Sequence, residues 1–201
     1  NNNYTSLKLK LKRYLKIEEN VFTLIKAQFF LQLIASSFFL ILNIYLSKNN
    51  FSDSEIANFL SYRFLAVILL SYPLGYFITF RKLKPMFIIS SFLMPFIAIA
   101  LVLSIKLSLS IYLNYLFFIW GIIFVIFQIC VLPFIMRYSS HKNQTYCISL
   151  SFSTHSVAML ISGLLIFISS NLLNIDEGDI LIFLSIIGFG SLYFALKINE
   201  V

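Results

Sequence analysis

Leu109–Met136 reads LSIYLNYLFFIWGIIFVIFQICVLPFIM, and none of these side chains is Asp, Glu, Lys, Arg or His. A helix rises about 1.5 Å per residue, so roughly 20 mainly apolar residues cross the hydrocarbon core of a bilayer, and this run exceeds that length. It lacks the polar–apolar alternation of a barrel strand and is far too long for one. Five further runs have the same character: Val21–Leu46, Ile56–Phe80, Pro85–Ile105, Cys147–Leu173 and Ile180–Ile198. The predicted fold is all-α, a polytopic membrane bundle of six transmembrane helices over residues 21–201, preceded by a basic segment, residues 1–20.

Composition agrees. Of 201 residues, 60 % are apolar and 11 % charged, with 23 Phe and 11 Tyr. A soluble domain carries about 25 % charged residues and needs them to cover its surface; a bilayer removes that need. The expected surroundings are therefore lipid, and we expect the bacterial inner membrane. Lys and Arg exceed Asp and Glu by 15 to 8. No basic patch interleaved with stacking aromatics accompanies the excess, so it reads as topology signalling and headgroup contact, with no nucleic acid as partner. Cys130 and Cys147 have neither metal-ligand nor redox spacing and read as packing residues. With two histidines, no His-Glu-x-x-His, no Gly-x-Ser-x-Gly and no phosphate-cradling loop, neither an enzyme nor a metal or cofactor site is expected. The chain opens on Asn-Asn-Asn without Met, so further sequence is expected before it, and no cleavable signal peptide is read.

The connections hold the charge. Residues 7–19 alternate Leu7, Leu9 and Leu11 with lysines and read as a surface helix or a loose arm. Ser52 or Asp53 fits the N-cap of the second helix, with Glu55 in its first turn. Pro85 fits the first turn of the third. With the N-terminus inside, the inner segments carry Lys8, Lys10, Lys12, Arg13, Lys16, Arg81, Lys82, Lys84, Arg137, Lys142 and Lys197, against Lys48 and Lys106 outside. This bias places both termini in the cytoplasm.

Polar groups inside spans are costly in lipid and normally face protein or water. Gln28, Gln32, Ser36 and Asn43 share a stripe on the first helix, which fits either hydrogen bonds between helices or the wall of a wet cavity. Asn114 and Gln128 share a face of the fourth. On the fifth, Ser149, Ser153 and Ser156 lie on one side, with Ser151, His155 and Ser162 near another; small residues there fit close helix packing, and His155 fits either a packing contact or a proton carrier. Arg63 lies about two turns inside the second helix, where it either snorkels outward or serves a site. No Asp or Glu lies within a span, so no partner for Arg63 and no proton-coupling acid is visible. The third and sixth helices are almost wholly apolar and read as lipid-facing supports. Gln28, Gln32, Asn43, Arg63, Asn114, Gln128 and His155 are the candidate lining of a substrate cavity.

Three stretches resemble the N-terminal half of a major facilitator superfamily transporter. Ile44-Tyr45-Leu46 followed by Phe51-Ser52-Asp53-Ser54-Glu55-Ile56 resembles the passage from that family's first helix to its second. Tyr72-Pro73-Leu74-Gly75 followed by Arg81-Lys82-Leu83-Lys84 stands where the family has its Gly-x-x-x-Asp-Arg-x-Gly-Arg-Lys loop, with Thr79 at the Asp position and Lys82 at the second Gly position. Leu132-Pro133-Phe134 through Gln144, then a Ser-rich helix ending Ser162-Gly163-Leu164-Leu165, resembles the fourth-to-fifth passage. The resemblance implies a secondary transporter for a small molecule or ion, of which this chain is one half. It implies Gly75, Arg81, Lys82 and Lys84 as a gating loop, and a second six-helix half, from further sequence or another copy, as partner. A stand-alone six-span protein, channel-like or an assembly-factor subunit, is the alternative, and an intramembrane enzyme ranks third.

Overall fold

The structure, a computed structural model, describes residues 18–171 and 173–199. The basic arm expected over residues 1–20 lies outside these up to residue 17. Among the described residues there are helices and turns but no strand. Helix α1 is Glu19–Lys48, α2 Asp53–Ile78, α3 Lys84–Lys106, α4 Ser110–Tyr138 and α5 Gln144–Asn171; α6 (Glu177–Ile187) and α7 (Gly190–Lys197) together make the sixth span. All six spans are long and apolar enough to cross a membrane. The chain is an integral membrane α-helical bundle.

The helix starts obey capping chemistry. Ser52 caps α2 in a full capping box, accepting from the Glu55 N–H while the Glu55 carboxylate accepts from the Ser52 N–H. Pro85 occupies the first turn of α3. Asp176 caps α6, accepting from the Gly178 N–H at 3.1 Å. Every described acid stands in the first turn of a helix or immediately before one, and Lys48, Lys106, Arg137 and Lys197 stand in last turns. Each charge thus opposes the local end of a helix dipole.

The helices pack as two close pairs, α1 with α5 and α2 with α4, with α3 against α4 and the sixth span against both α1 and α3. Phe38 of α1 meets Trp120 of α4 edge-on, with ring centroids 4.6 Å apart, and joins the pairs. Gly121 sets the α2–α4 approach: a Cβ there would lie 2.4 Å from the Arg63 carbonyl oxygen and 2.9 Å from the Ala66 Cβ. Small residues at helix crossings permit such approach.

Two expectations are corrected. The sixth span was read as one helix, Ile180–Ile198. It is interrupted at Gly188–Phe189, where Ser191 and Leu192 donate to carbonyls three residues back, a tighter winding than α. Gly188 and Gly190 abut Ile34 and Phe30 of α1, with no room for a Cβ at either position, so the interruption lies where the backbone approaches α1 tightly. Nor are the third and sixth spans merely lipid-facing supports. Ser91 and Ser191 share a buried hydrogen bond of 2.7 Å between them. The least covered spans are α2 and α5, with 17 % and 22 % of their apolar stretches buried, against 44 % for α3, 39 % for the sixth span and 67 % for α1.

At the end that holds Asn20 and Asn199, these two residues exchange hydrogen bonds of 2.8 and 3.1 Å. At the opposite end, Glu177 pairs with Lys48, and Asp179 lies 4.0 Å from Lys106.

Candidate functional site

The α1–α5 pair carries a polar ladder. Both helices run in the same direction, so residues at similar distances from their starts stand level. Gln28, buried, accepts from the Ser151 hydroxyl at 2.8 Å. One turn on, the amide oxygen of Gln32, also buried, lies 3.1 Å from Nδ1 of His155, a hydrogen bond when that nitrogen bears the proton. Ser162 donates to the Leu33 carbonyl at 3.2 Å. Ser151 and Ser162 thus face α1, while Ser149, Ser153 and Ser156 remain on the uncovered side of α5. Gln28 and Gln32 make the contacts between helices that their stripe allowed for.

The α2–α4 pair carries a second polar group. Asn58 donates to the Asn114 side-chain oxygen at 3.3 Å. Five residues further along α2, the Arg63 guanidinium lies over the Trp120 ring, 4.6 Å from its centroid, with Phe124 at 5.4 Å and Phe64 at 5.7 Å. The cation is held by ring faces, which attract it electrostatically. Trp120 is fully buried and its ring N–H has no partner among the described groups. Gln128, half-buried, lies two turns beyond Trp120 on α4.

Asn43 is separate. It lines an open cleft of about 690 Å³ at the Lys48 end of the bundle, with Ser47, Lys48, Asp53, Ala57 and Leu60 among its walls. The seven candidate cavity residues therefore fall into a Gln28–Gln32–His155 group, an Arg63–Asn114 side and an outlying Asn43, with Gln128 beyond them.

Of the four gating-loop candidates, Gly75 lies inside α2 and has open space where a side chain would stand. Arg81 packs its guanidinium over the Phe77 ring at 4.0 Å. Lys82 and Lys84 line a shallow surface pocket with Pro85, Ile88 and Ile89. The organiser of the loop is Arg137, which was counted in the sequence only as a charge. From the last turn of α4 it donates to the carbonyls of Ile78 at 3.1 Å, Thr79 at 2.8 Å and Arg81 at 2.8 Å. Glu18 was likewise unremarked. Its carboxylate accepts from the Ser140 N–H at 2.9 Å, tying the start of α1 to the α4–α5 turn. Burial alone would raise its pKa, but hydrogen bonds from the Ser140 backbone and from Ser140 and Asn143 side chains hold it below the ordinary carboxylate value.

No group of three or more His, Cys, Asp or Glu among the described residues is arranged to hold a metal ion. Cys130 and Cys147 are buried thiols, neither of them in a disulfide among the described residues. Compared with protein-family models, curated proteins and solved structures, the chain matches none.

Proposed function

We propose that this chain is one half of a secondary transporter of the major facilitator type, which moves a small solute across the inner membrane of a bacterium. One observation carries the reading: α2 and α5 are both the least covered and the least apolar of the six spans. Faces that meet only lipid should be the most apolar, because unsatisfied polar groups there cost several kcal/mol. The hydroxyls of Ser61 and Ser153 bond back to their own helices and would tolerate lipid. The Arg63 cation, the Asn58 amide and the exposed His155 ring would not. A water-filled cleft closed by a second six-helix half accommodates them, as in transporters with sites between repeats.

Single cysteines at Ser61, Ser153 and Ser156, in a background without Cys130 and Cys147, test this with a membrane-impermeant maleimide in right-side-out and inverted vesicles. Labelling of all three from at least one side is expected, while a cysteine at Phe96, on the bare face of α3, stays unlabelled from both. Silence at all three positions overturns the reading.

The same proposal places the Asn20–Asn199 end in the cytoplasm, on the basic bias of the loops. In sealed cells a cysteine at Asn50 should label and one at Lys142 should label only after permeabilisation; the reverse pattern inverts the orientation.

A further inference from the structure

We infer that Arg63 is an oxyanion-binding side chain, so that the solute is an organic anion presenting a carboxylate or phosphate. This rests on the transporter reading and names its substrate class.

The depth of Arg63 comes first. It stands ten residues into the 26 of α2, about 15 Å along the helix from its capped start. Trp120 stands ten residues into α4, which runs the same way, so the two are level. Lys26 differs: it lies seven residues into α1, with its ammonium 4.4 Å from the Phe22 ring centroid toward the terminal end, where headgroups are in reach.

The mounting is rigid. Phe38 and Phe117 flank the buried Trp120 ring at 4.6 and 6.1 Å. The Arg63 backbone is pressed against Gly121, with no room for a methyl group between them. The guanidinium carbon lies 4.6 Å from the Trp120 centroid, and a guanidinium held over a ring can still donate through its N–H groups, because its attraction to the ring does not consume them. Among the described residues, no carboxylate or carbonyl accepts from these N–H groups. The described ion pairs are Lys48–Glu177 and Lys106–Asp179, both at one end of the bundle. A second copy of the chain would bring another Arg63 and no acid within a span. What fits is a mobile ligand offering two oxygens to the guanidinium fork, with the rings of Phe124 and Phe64 providing apolar surface beside it.

Trp120 is the single tryptophan of the 201 residues, so the site has a built-in reporter. Its fluorescence is followed with the chain in phosphatidylcholine nanodiscs while chloride is replaced by benzoate or by inorganic phosphate at constant ionic strength. A saturable change with at least one of them is expected, and none with benzyl alcohol. Arg63→Gln should abolish the change, and Arg63→Lys, which keeps the charge but loses the fork, should weaken the affinity by about tenfold or more. No saturable change in the native chain, or an undiminished one in Arg63→Lys, overturns the assignment whatever the folding of Arg63→Gln. A response to added phosphatidylglycerol with none to benzoate or phosphate also overturns it, since the anion is then a lipid headgroup. If the cysteines at Ser61, Ser153 and Ser156 label while Trp120 stays silent, the oxyanion site falls and the transporter reading stands. If Trp120 answers benzoate and the cysteines stay silent, the oxyanion site stands and transport falls.

Discussion

Arg137 closes the open end of another helix. The last carbonyls of α2 have no partners within their own helix, and α2 has no basic residue in its last turn. The guanidinium of α4 supplies the donors, three bonds from one side chain. Hydrogen bonds to a charged group are worth about 1.5–3 kcal/mol each when buried and less when exposed, as two of these are, so Arg137→Gln should cost about 2 kcal/mol in all. The buried thiols of Cys130 and Cys147 allow the midpoint to be read with a thiol-reactive dye during heating; an unchanged midpoint contradicts the role. Glu18 predicts a pH dependence. Its folded pKa lies below its unfolded value, so its contribution is present above the unfolded value and is lost as pH falls through the folded one. Between pH 7 and 4, Glu18→Gln should flatten the loss of stability seen in the native chain, and parallel curves would rule this out. The cap of α2 was legible in the sequence as Ser52 or Asp53 with Glu55 in the first turn, because all three are neighbours; the reciprocal bonds that single out Ser52 came from the structure. Arg137 and Glu18 were not legible, because their acceptors and donors are more than fifty residues away and depend on where two loops fold.

At the scale of the helix, the two pairs meet through atoms that leave no slack. Gly121→Ala would place a methyl against the backbone of α2, and backbone cannot yield as a side-chain tip can. The α2–α4 pair should separate, at a cost of about 1–3 kcal/mol. Gly75→Ala, in the same pair but facing open space, should instead raise stability by about 0.5–1 kcal/mol, since alanine is the better helix former. Thermal midpoints of the two variants, compared side by side, decide the matter; equal shifts would mean that Gly121 does not set the crossing. The six spans were legible because length and lack of charge suffice to find a membrane helix. The interruption at Gly188–Phe189 was not, because glycines in an apolar run are tolerated in most helices, and the tight contacts of Gly188 and Gly190 with Ile34 and Phe30 appear only once the sixth span packs on α1. The serines of the fifth span were half legible. Their spacing separated Ser151 and Ser162 from Ser149, Ser153 and Ser156, but only packing told which set faces α1.

At the scale of the molecule, charge is arranged by end. The two lysines that fall on the sparsely basic side, Lys48 and Lys106, are the two that meet Glu177 and Asp179. The Lys106–Asp179 pair is exposed on both sides and contributes about 0–1 kcal/mol, whereas the Glu177 side chain is only 14 % exposed, so replacing Lys106 by Gln should shift the unfolding midpoint little and replacing Lys48 more. Removal of both lysines also sharpens the basic asymmetry, so the labelling pattern at Asn50 and Lys142 should persist; loss of insertion would show that the ionic contacts, not the asymmetry, set the topology. The polar groups inside the spans were legible as a set, since lipid makes any such group conspicuous. Their partition between an α1–α5 ladder and an α2–α4 ring site was not, because it depends on which helices pair, and four helices with polar faces can pair in several ways.

The α1–α5 ladder has a consequence for the order of events at the ribosome. Gln28 emerges first, and Ser151, its partner, is 123 residues behind it. At about 5–20 residues per second, the wait is roughly 6–25 s, during which α1 has entered the membrane with its amides unanswered. Asn20 waits longer still, for Asn199, 179 residues away. The most central helix of the finished bundle is therefore the last to be completed. Through most of synthesis it must lean on something other than this chain: the insertion machinery, or water held at its side.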